Sequence, residues 1–293
     1  STDNIYSNGY GTGTPVPTVT VTGGDFLTTA LGFTSADKVN VHIRGGSFAN
    51  TGAASYFDEG FGQELVDGKY VVSSGFVAKD NKNNFYKTLN EAVAKATTAI
   101  SLIADGDGDF LFPVSAAQSN PGYFYLNNHT LNGNVVVESG MRLVVGESSI
   151  EKATSEHGLV TGTISDNVLV TGGKFVNDPA SSVDKYANKT AFVNGAYVVV
   201  EKSQDEINAA LSADGITAAT GTGSTRAYFD TVQHAWDSST STTWTYVEML
   251  GDVHENIERE KNSHLGLKLN GHTFTGSIDT TKEGARKAVA IQT

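Results

Sequence analysis

The chain has 293 residues, no cysteine, 18% charged residues and a formal net charge of −12. That composition excludes disulfides, thiol catalysis and cysteine-ligated zinc, and an acidic chain lacks the basic surface that displaces counterions from nucleic acid. Hydrophobic residues at 39% and aromatics at 9% predict a folded chain, and no apolar run is long enough to span a bilayer.

In chain order, residues 1–18 read as an N-terminal arm or linker, with Gly9, Gly11 and Gly13 ahead of Pro15 and Pro17. The start at Ser1 and the end at Ala290–Thr293 are read as a processed chain or a segment of a longer one. Short β-rich runs follow at Thr18–Thr22, Val39–Ile43, Tyr70–Val72, Val135–Val137, Arg142–Val145, Val168–Thr171 and Tyr197–Val200. Glycine, asparagine or aspartate bounds most of them, as turns require. Apolar spacing at Leu89, Ala92, Val93 and Ala96 predicts a helix over Thr88–Ala96, with a counterpart at Thr231–Trp236. A strand is expected after each, at Ala99–Ala104 and Trp244–Leu250.

These elements repeat. Gly45-Gly46-Ser47-Phe48 returns as Gly172-Gly173-Lys174-Phe175, an offset of 127 (172 − 45). Val66–Val72 returns as Val193–Val199 at the same offset. Phe85–Val93 matches Tyr228–Trp236, and Leu126–Leu131 matches Leu269–Phe274, both at an offset of 143. The 16 additional residues (143 − 127) predict an insertion near 203–227. A shorter period of 22 (45 − 23) relates Gly23-Gly24-Asp25-Phe26 to Gly45-Gly46-Ser47-Phe48. Periods in the low twenties suit stacked coils. The expected fold is therefore mainly β: a right-handed parallel β-helix, with one or two short helices per repeat. The expected organisation is module 1 over 19–158 and module 2 over 159–293, within one continuous solenoid if the coils run on. A row of immunoglobulin-like sandwiches is disfavoured, because no run keeps clean alternation for six residues.

The motifs Thr88-Leu89-Asn90-Glu91-Ala92-Val93, Leu102–Asp105 and Leu126-Asn127-Asn128-His129-Thr130-Leu131 resemble a repeat module of bacterial, Firmicutes-type surface proteins. The Gly-Gly-x-Phe and Asp-Gly-Tyr-Val-Val-like segments are similar to elements that accompany that module. The resemblance implies a pectate-lyase-like right-handed β-helix on the bacterial cell surface. It says little about activity, since that fold hosts lyases, hydrolases and adhesins alike. In the first copy Asn128 stands where the pattern has glycine, so a left-handed asparagine is expected there.

Candidate sites are few. Asp105, Asp107 and Asp109 alternate with glycine and suit calcium, which takes several hard oxygens; a solvated turn is the favoured reading. No other cofactor is required. His129 and His272 recur at equivalent positions, which favours corner residues over a general base. His254-Glu255 resembles a zinc-peptidase helix but lacks its second histidine. Arg44 and Arg142 lie on strands and would serve a polysaccharide lyase; as surface residues they would cover apolar neighbours. Tyr6, Tyr10, Tyr123, Phe124, Tyr125 and Trp244 would stack on sugars or fill the core. No catalytic set emerges. The reading is a structural or adhesive extracellular protein, a stalk or the subunit of a surface fibre or layer. Its partners are other copies, neighbouring modules of a longer chain, or host or bacterial glycans. The alternative is a polysaccharide-binding or polysaccharide-cleaving protein.

Overall fold

A computed structural model describes residues 18–26, 40–96, 99–113, 121–147, 158–222, 226–239, 244–258, 264–279 and 289–293. Residues 1–17 of the proposed arm, with Tyr6 and Tyr10, lie outside them, and Thr18 begins β1. The chain divides into two compact units. One comprises Ser1–Asp184 with Thr190–Val200, the other Lys185–Lys189 with Glu201–Thr293.

The first unit opens with β1 (Thr18–Phe26), β2 (Asn40–Phe48), a 3-10 turn at Thr51–Tyr56, β3 (Phe61–Val66) and β4 (Lys69–Ser74). The hairpin β5 (Ala78–Asp80) and β6 (Phe85–Tyr86) leads into α1 (Leu89–Lys95). Then come β7 (Ala99–Leu102), β8 (Gly106–Asp107), β9 (Phe110–Phe112), β10 (Gly122–Tyr125), β11 (Thr130–Asn132), β12 (Val135–Val137) and β13 (Leu143–Gly146). Strands β14 (Leu159–Val160), β15 (Val168–Val170), β16 (Lys174–Phe175), β17 (Asn188–Val193) and β18 (Ala196–Glu201) follow. The insertion is helical at α2 (Gln204–Ala213). The second unit continues with β19 (Ala218–Thr220), β20 (Ala227–Phe229), α3 (Val232–Asp237), β21 (Trp244–Met249), β22 (Val253–His254) and β23 (Ile257–Glu258). It ends with β24 (His264–Lys268), β25 (Phe274–Thr275), β26 (Ile278–Asp279) and β27 (Val289–Gln292).

The expectation of a single right-handed parallel β-helix is corrected by this topology. The described strands form several short sheets of mixed direction. Antiparallel pairs, among them β3–β4, β2–β4, β5–β7, β16–β18 and β19–β21, interrupt the parallel ladders. The reason is local. Asp67 and Gly68 both take positive φ (49° and 79°), as do Asn194 and Gly195 (51° and 84°). Two consecutive left-handed residues make the two-residue turn whose twist suits an antiparallel hairpin, so the chain doubles back at each place.

Parallel pairing is confined to shorter stretches. Strand β10 lies between β7 and β13, and β13 pairs with β15. Strand β11 lies between β8 and β14, and β24 lies between β21 and β27. Side chains on one face stack from strand to strand, giving the buried column Ile100, Phe124, Val145 and Val170 in the first unit. Leu265 and Leu267 belong to the core of the second. The helices are fixed by matching caps: Thr88 Oγ1 accepts from Glu91 N (3.1 Å) and Thr231 Oγ1 from His234 N (3.0 Å).

The repetition is structural as well as sequential. Ser47 pairs with Val71 and Phe48 with Tyr70; Lys174 pairs with Val198 and Phe175 with Tyr197, 127 residues later.

Candidate functional site

The run Asp105–Asp109 sits on and beside β8, one strand layer from β11. Asp105 Oδ1 accepts from Thr130 N (2.7 Å), and Asp107 Oδ1 accepts from Asn132 Nδ2 (2.9 Å). Asp109 Oδ1 accepts from Asn134 N (2.8 Å) and Nδ2 (2.9 Å). Asn134 Oδ1 in turn accepts from Thr163 N and Oγ1 (2.8 and 2.9 Å). Each aspartate thus satisfies a donor on the following layer, and the layers come closest at Gly133, where an added Cβ would lie 2.2 Å from Gly108 O. The second copy repeats the device. Asp252 Oδ1 accepts from Thr273 N (2.8 Å), and Asn256 Oδ1 accepts from Ser277 N and Oγ (3.1 and 2.9 Å). An amide at 256 does the work of the carboxylate at 109, so the ladder uses an acceptor oxygen and not a charge. Among the described residues no three His, Asp or Glu side chains converge as a metal site.

His129 and His272 mark something else. Each follows a left-handed corner, Asn127-Asn128 (φ 48° and 65°) or Asn270-Gly271 (50° and 81°). Asparagine tolerates that conformation because its side chain bonds locally. Here the amides also tie the corner to the preceding layer: Asn127 Nδ2 donates to Leu102 O (2.9 Å) and Asn270 Nδ2 to Met249 O (3.3 Å). Beside each corner lies a cleft, of about 230 Å³ in the first unit and about 510 Å³ in the second. The two occupy equivalent positions. Asn127 and His129 line one, Asn270 and His272 the other; Phe85 corresponds to Tyr228, Leu102 to Met249 and Glu59 to Tyr186.

The remaining lining residues differ. In the first unit Asp58 and Glu59 border the cleft and Lys79 lines it. His42 Nδ1 stands 2.6 Å from Asp58 Oδ1, Arg44 Nε donates to Asp58 Oδ2, and His129 Nδ1 lies 3.5 Å from Glu59 Oε1. Burial pushes the Asp58 carboxyl up, but Arg44 and His42 outweigh it and hold the group below its ordinary value. Burial also lowers the Lys79 ammonium.

In the second unit, α2 adds a wall carrying Gln204, Asn208 and Leu211. Its start is fixed by a capping box between Ser203 and Glu206. Arg226 Nη1 lies 2.7 Å from Glu248 Oε2, and Asn270 Nδ2 donates to Glu248 Oε1 at 2.7 Å. The Arg226 guanidinium sits 5.4 Å from the centre of the Tyr228 ring, whose centre lies 4.3 Å from that of Tyr186. Tyr186 is anchored through its hydroxyl, which donates to Asp214 Oδ2 (2.9 Å). The result is a fixed network of donors and acceptors on an aromatic support.

Hydrolysis by paired carboxylates needs one acid whose proton is held near neutral pH. The shifted carboxyls run the other way. Asp25, Asp58, Asp80, Glu91, Glu206, Asp214, Asp230 and Glu248 all lie below their ordinary values, because hydrogen-bond donors outweigh burial.

The other sequence candidates fall elsewhere. Arg44 holds Asp58, while Arg142 precedes β13 and its carbonyl accepts from Gly122 N (2.9 Å). His254 and Glu255 lie on and after β22 rather than on a helix; Glu255 Oε1 accepts from Val232 N (2.7 Å) at the start of α3. Phe124 is buried in the core. Tyr123 stacks with Tyr125 and Trp244 with Tyr246, ring centres 6.2 and 6.0 Å apart. Asp58, Glu59, Arg226 and Glu248 carried no motif. Only the offset of 127, which sets residues 57–61 against 184–188, pointed to that position. No family model, curated protein or solved structure matches the chain.

Proposed function

We propose that this chain is a structural, adhesive module of an extracellular surface protein, in which one duplicated scaffold carries two equivalent clefts for attachment. One observation carries the reading. The groups that hold layer to layer recur in both copies, whereas beyond the shared asparagine, histidine and aromatic positions the groups lining the clefts differ, with Asp58, Glu59 and Lys79 in one and Tyr186, Arg226 and Glu248 in the other. Selection on a scaffold keeps the first set and leaves the second free to change partners. The motifs around Thr88–Val93 and Leu126–Leu131, which resemble bacterial surface modules, support the location, and the net charge of −12 suits a solvated exterior. Antibody labelling of intact cells that make the protein is the test of location. Label confined to permeabilised cells would overturn it.

A glycan partner is the attachment chemistry that the second unit favours. Its cleft falls in the size range of small-ligand sites, and Arg226, Glu248 and Asn270 hold fixed donors and acceptors toward hydroxyl groups. Titration with an oligosaccharide panel is expected to find a ligand whose binding falls about tenfold in Glu248→Gln, as loss of a charged hydrogen bond implies. Release of reducing ends that is abolished in Asp58→Asn would instead establish a cleaving enzyme in the first unit.

A further inference from the structure

An aromatic stripe in the second unit belongs neither to its core cluster nor to the lining of its cleft. Alternation along β21 sends Thr245, Val247 and Met249 inward, where they are buried, and Trp244, Tyr246 and Glu248 to the opposite face. Glu248 lines the cleft. Tyr246 and Trp244 continue the same face beyond it.

The two rings are held in place. Their planes lie within 19° of parallel and their centres 6.0 Å apart. Tyr246 stands opposite Gly266 on β24, and an added Cβ there would lie 2.4 Å from the ring's Cδ1. The ring therefore rests against a strand that has no side chain at that point, while Tyr246 stays 52% exposed. Trp244 lies against His264, ring centres 4.8 Å apart. Strand β21 is paired on both sides, with β19 and with β24. A partner thus has no strand edge to join here, only the outward face.

The chemistry of that face selects its occupant. A pyranose has C–H faces, which suit the negative potential over an aromatic ring, and hydroxyl edges, which suit fixed donors and acceptors. Both are present in one line: rings at Trp244 and Tyr246, then Glu248 bonded to Arg226 and Asn270 (2.7 Å each). A lipid tail or apolar peptide would leave the polar end unused. The Arg226–Glu248 pair is balanced in charge. An acidic chain would meet one exposed ammonium, Lys268 opposite Glu248 in register, against a net charge of −12.

We propose that Trp244 and Tyr246 form a stacking track leading into the cleft, and that its ligand is a neutral, extended chain of pyranose sugars. Glu248, Arg226 and Asn270 hold the hydroxyls of one unit, and the following units lie on Tyr246 and Trp244. From Glu248 to Trp244 the track runs about 13 Å of strand, longer than a single sugar, so affinity grows with chain length. The inference rests on the glycan reading above and names the class of glycan and its second contact.

The chain has two tryptophans. Trp236 is fully buried, so a change in tryptophan emission on adding ligand reports Trp244. Neutral oligosaccharides of one to six units, cut from cellulose, β-1,3-glucan, mannan and galactan, are titrated into the full-length chain, with oligogalacturonate as the acidic comparison. Affinity is expected to rise with length, emission to shift, and added salt to leave binding unchanged. Trp244→Ala and Tyr246→Ala should each weaken binding of the longest chain about three- to tenfold and flatten the dependence on length. Trp244→Phe, which keeps a ring, should restore most of it. Tyr246→Ala also uncovers Gly266, so the Trp244 variants carry the test if that chain unfolds. Binding that needs Glu248 but is equal for one unit and six, or indifferent to Trp244→Ala, would overturn the track and leave the cleft reading standing. Tighter binding of oligogalacturonate would overturn the neutral class. No binding anywhere in the panel would overturn cleft and track together.

Discussion

The two copies of the scaffold agree where layers touch and disagree where solvent enters. Thr88 and Thr231 cap equivalent helices, and Asn127 and Asn270 tie equivalent corners to the preceding layer. Gly133 and Gly276 mark equivalent close approaches: an added Cβ would lie 2.2 Å from Gly108 O in one and 1.8 Å from Glu255 O in the other. The clefts follow the opposite rule. Glu59 and Lys79 line the smaller, while Tyr186, Arg226 and Glu248 line the larger, which gains a wall from α2. Backbone geometry and layer spacing therefore constrain one set of residues, and nothing in the scaffold constrains the other.

The comparison is broken most forcefully in the cores. Phe124 and Leu267 are equivalent and fully buried. Phe124→Ala is expected to cost about 3–5 kcal/mol and Leu267→Ala about 2–5 kcal/mol, read from denaturant unfolding. Hydrogen exchange should place each loss in the unit that carries the substitution; loss spread evenly over both units would show that they do not respond separately. Next in size come the close approaches. Gly133→Ala and Gly276→Ala force layers apart and should each cost about 1–3 kcal/mol. The Gly276 variant should be the worse of the two, because its φ of 147° also disfavours alanine.

The acceptor ladder sharpens the comparison at smaller scale. Since Asn256 does in one copy what Asp109 does in the other, Asp109→Asn should change stability by less than about 0.5 kcal/mol, whereas Asp109→Ala should cost about 0.5–1.5 kcal/mol. Melting curves with and without calcium are expected to coincide. A calcium-dependent rise that disappears in Asp107→Ala would instead make the run a metal site.

Much of this scaffold was legible in the sequence, and the part that was not has a specific cause. The offsets of 127 and 143 located equivalent elements, and the spacing of Leu89, Ala92 and Val93 gave the helix to within its caps. Asn128 takes the left-handed corner its place in the pattern required. The single parallel β-helix did not survive. Asp67-Gly68 and Asn194-Gly195 are hairpin signals inside repeated motifs, and reading those motifs only as repeats hid the chain reversals. The excess of 16 residues placed the insertion near 203–227, and Ser203 and Glu206 start a ten-residue helix there. The clefts were illegible for another reason. His42 and Arg44 on β2, Asp58 after the 3-10 turn and His129 before β11 come from distant parts of the chain, and no local spacing announces a meeting set by strand pairing.

The smallest expected effect distinguishes the two hairpins by acid. In the first copy Asp80 closes the β5–β6 turn: Oδ1 accepts from Lys82 N (2.8 Å) and Asn84 N (2.9 Å), and Oδ2 accepts from Asn84 Nδ2 (2.8 Å) and Tyr86 Oη (2.9 Å). Burial alone would raise this carboxyl, but these donors outweigh it and lower it below the ordinary 3.8. A carboxyl that is lower when folded stabilises the fold above its unfolded value and loses that contribution as pH falls through the folded one. The β19–β20 hairpin places Thr220 at the equivalent position, with no carboxylate to protonate. Below about pH 4, hydrogen exchange should therefore open residues 78–86 ahead of 218–229. Asp80→Asn should flatten that pH dependence, because an amide oxygen accepts without titrating. If both hairpins open together, and Asp80→Asn leaves the profile unchanged, the turn does not depend on the ionised carboxylate, and the asymmetry between the copies lies in the clefts alone.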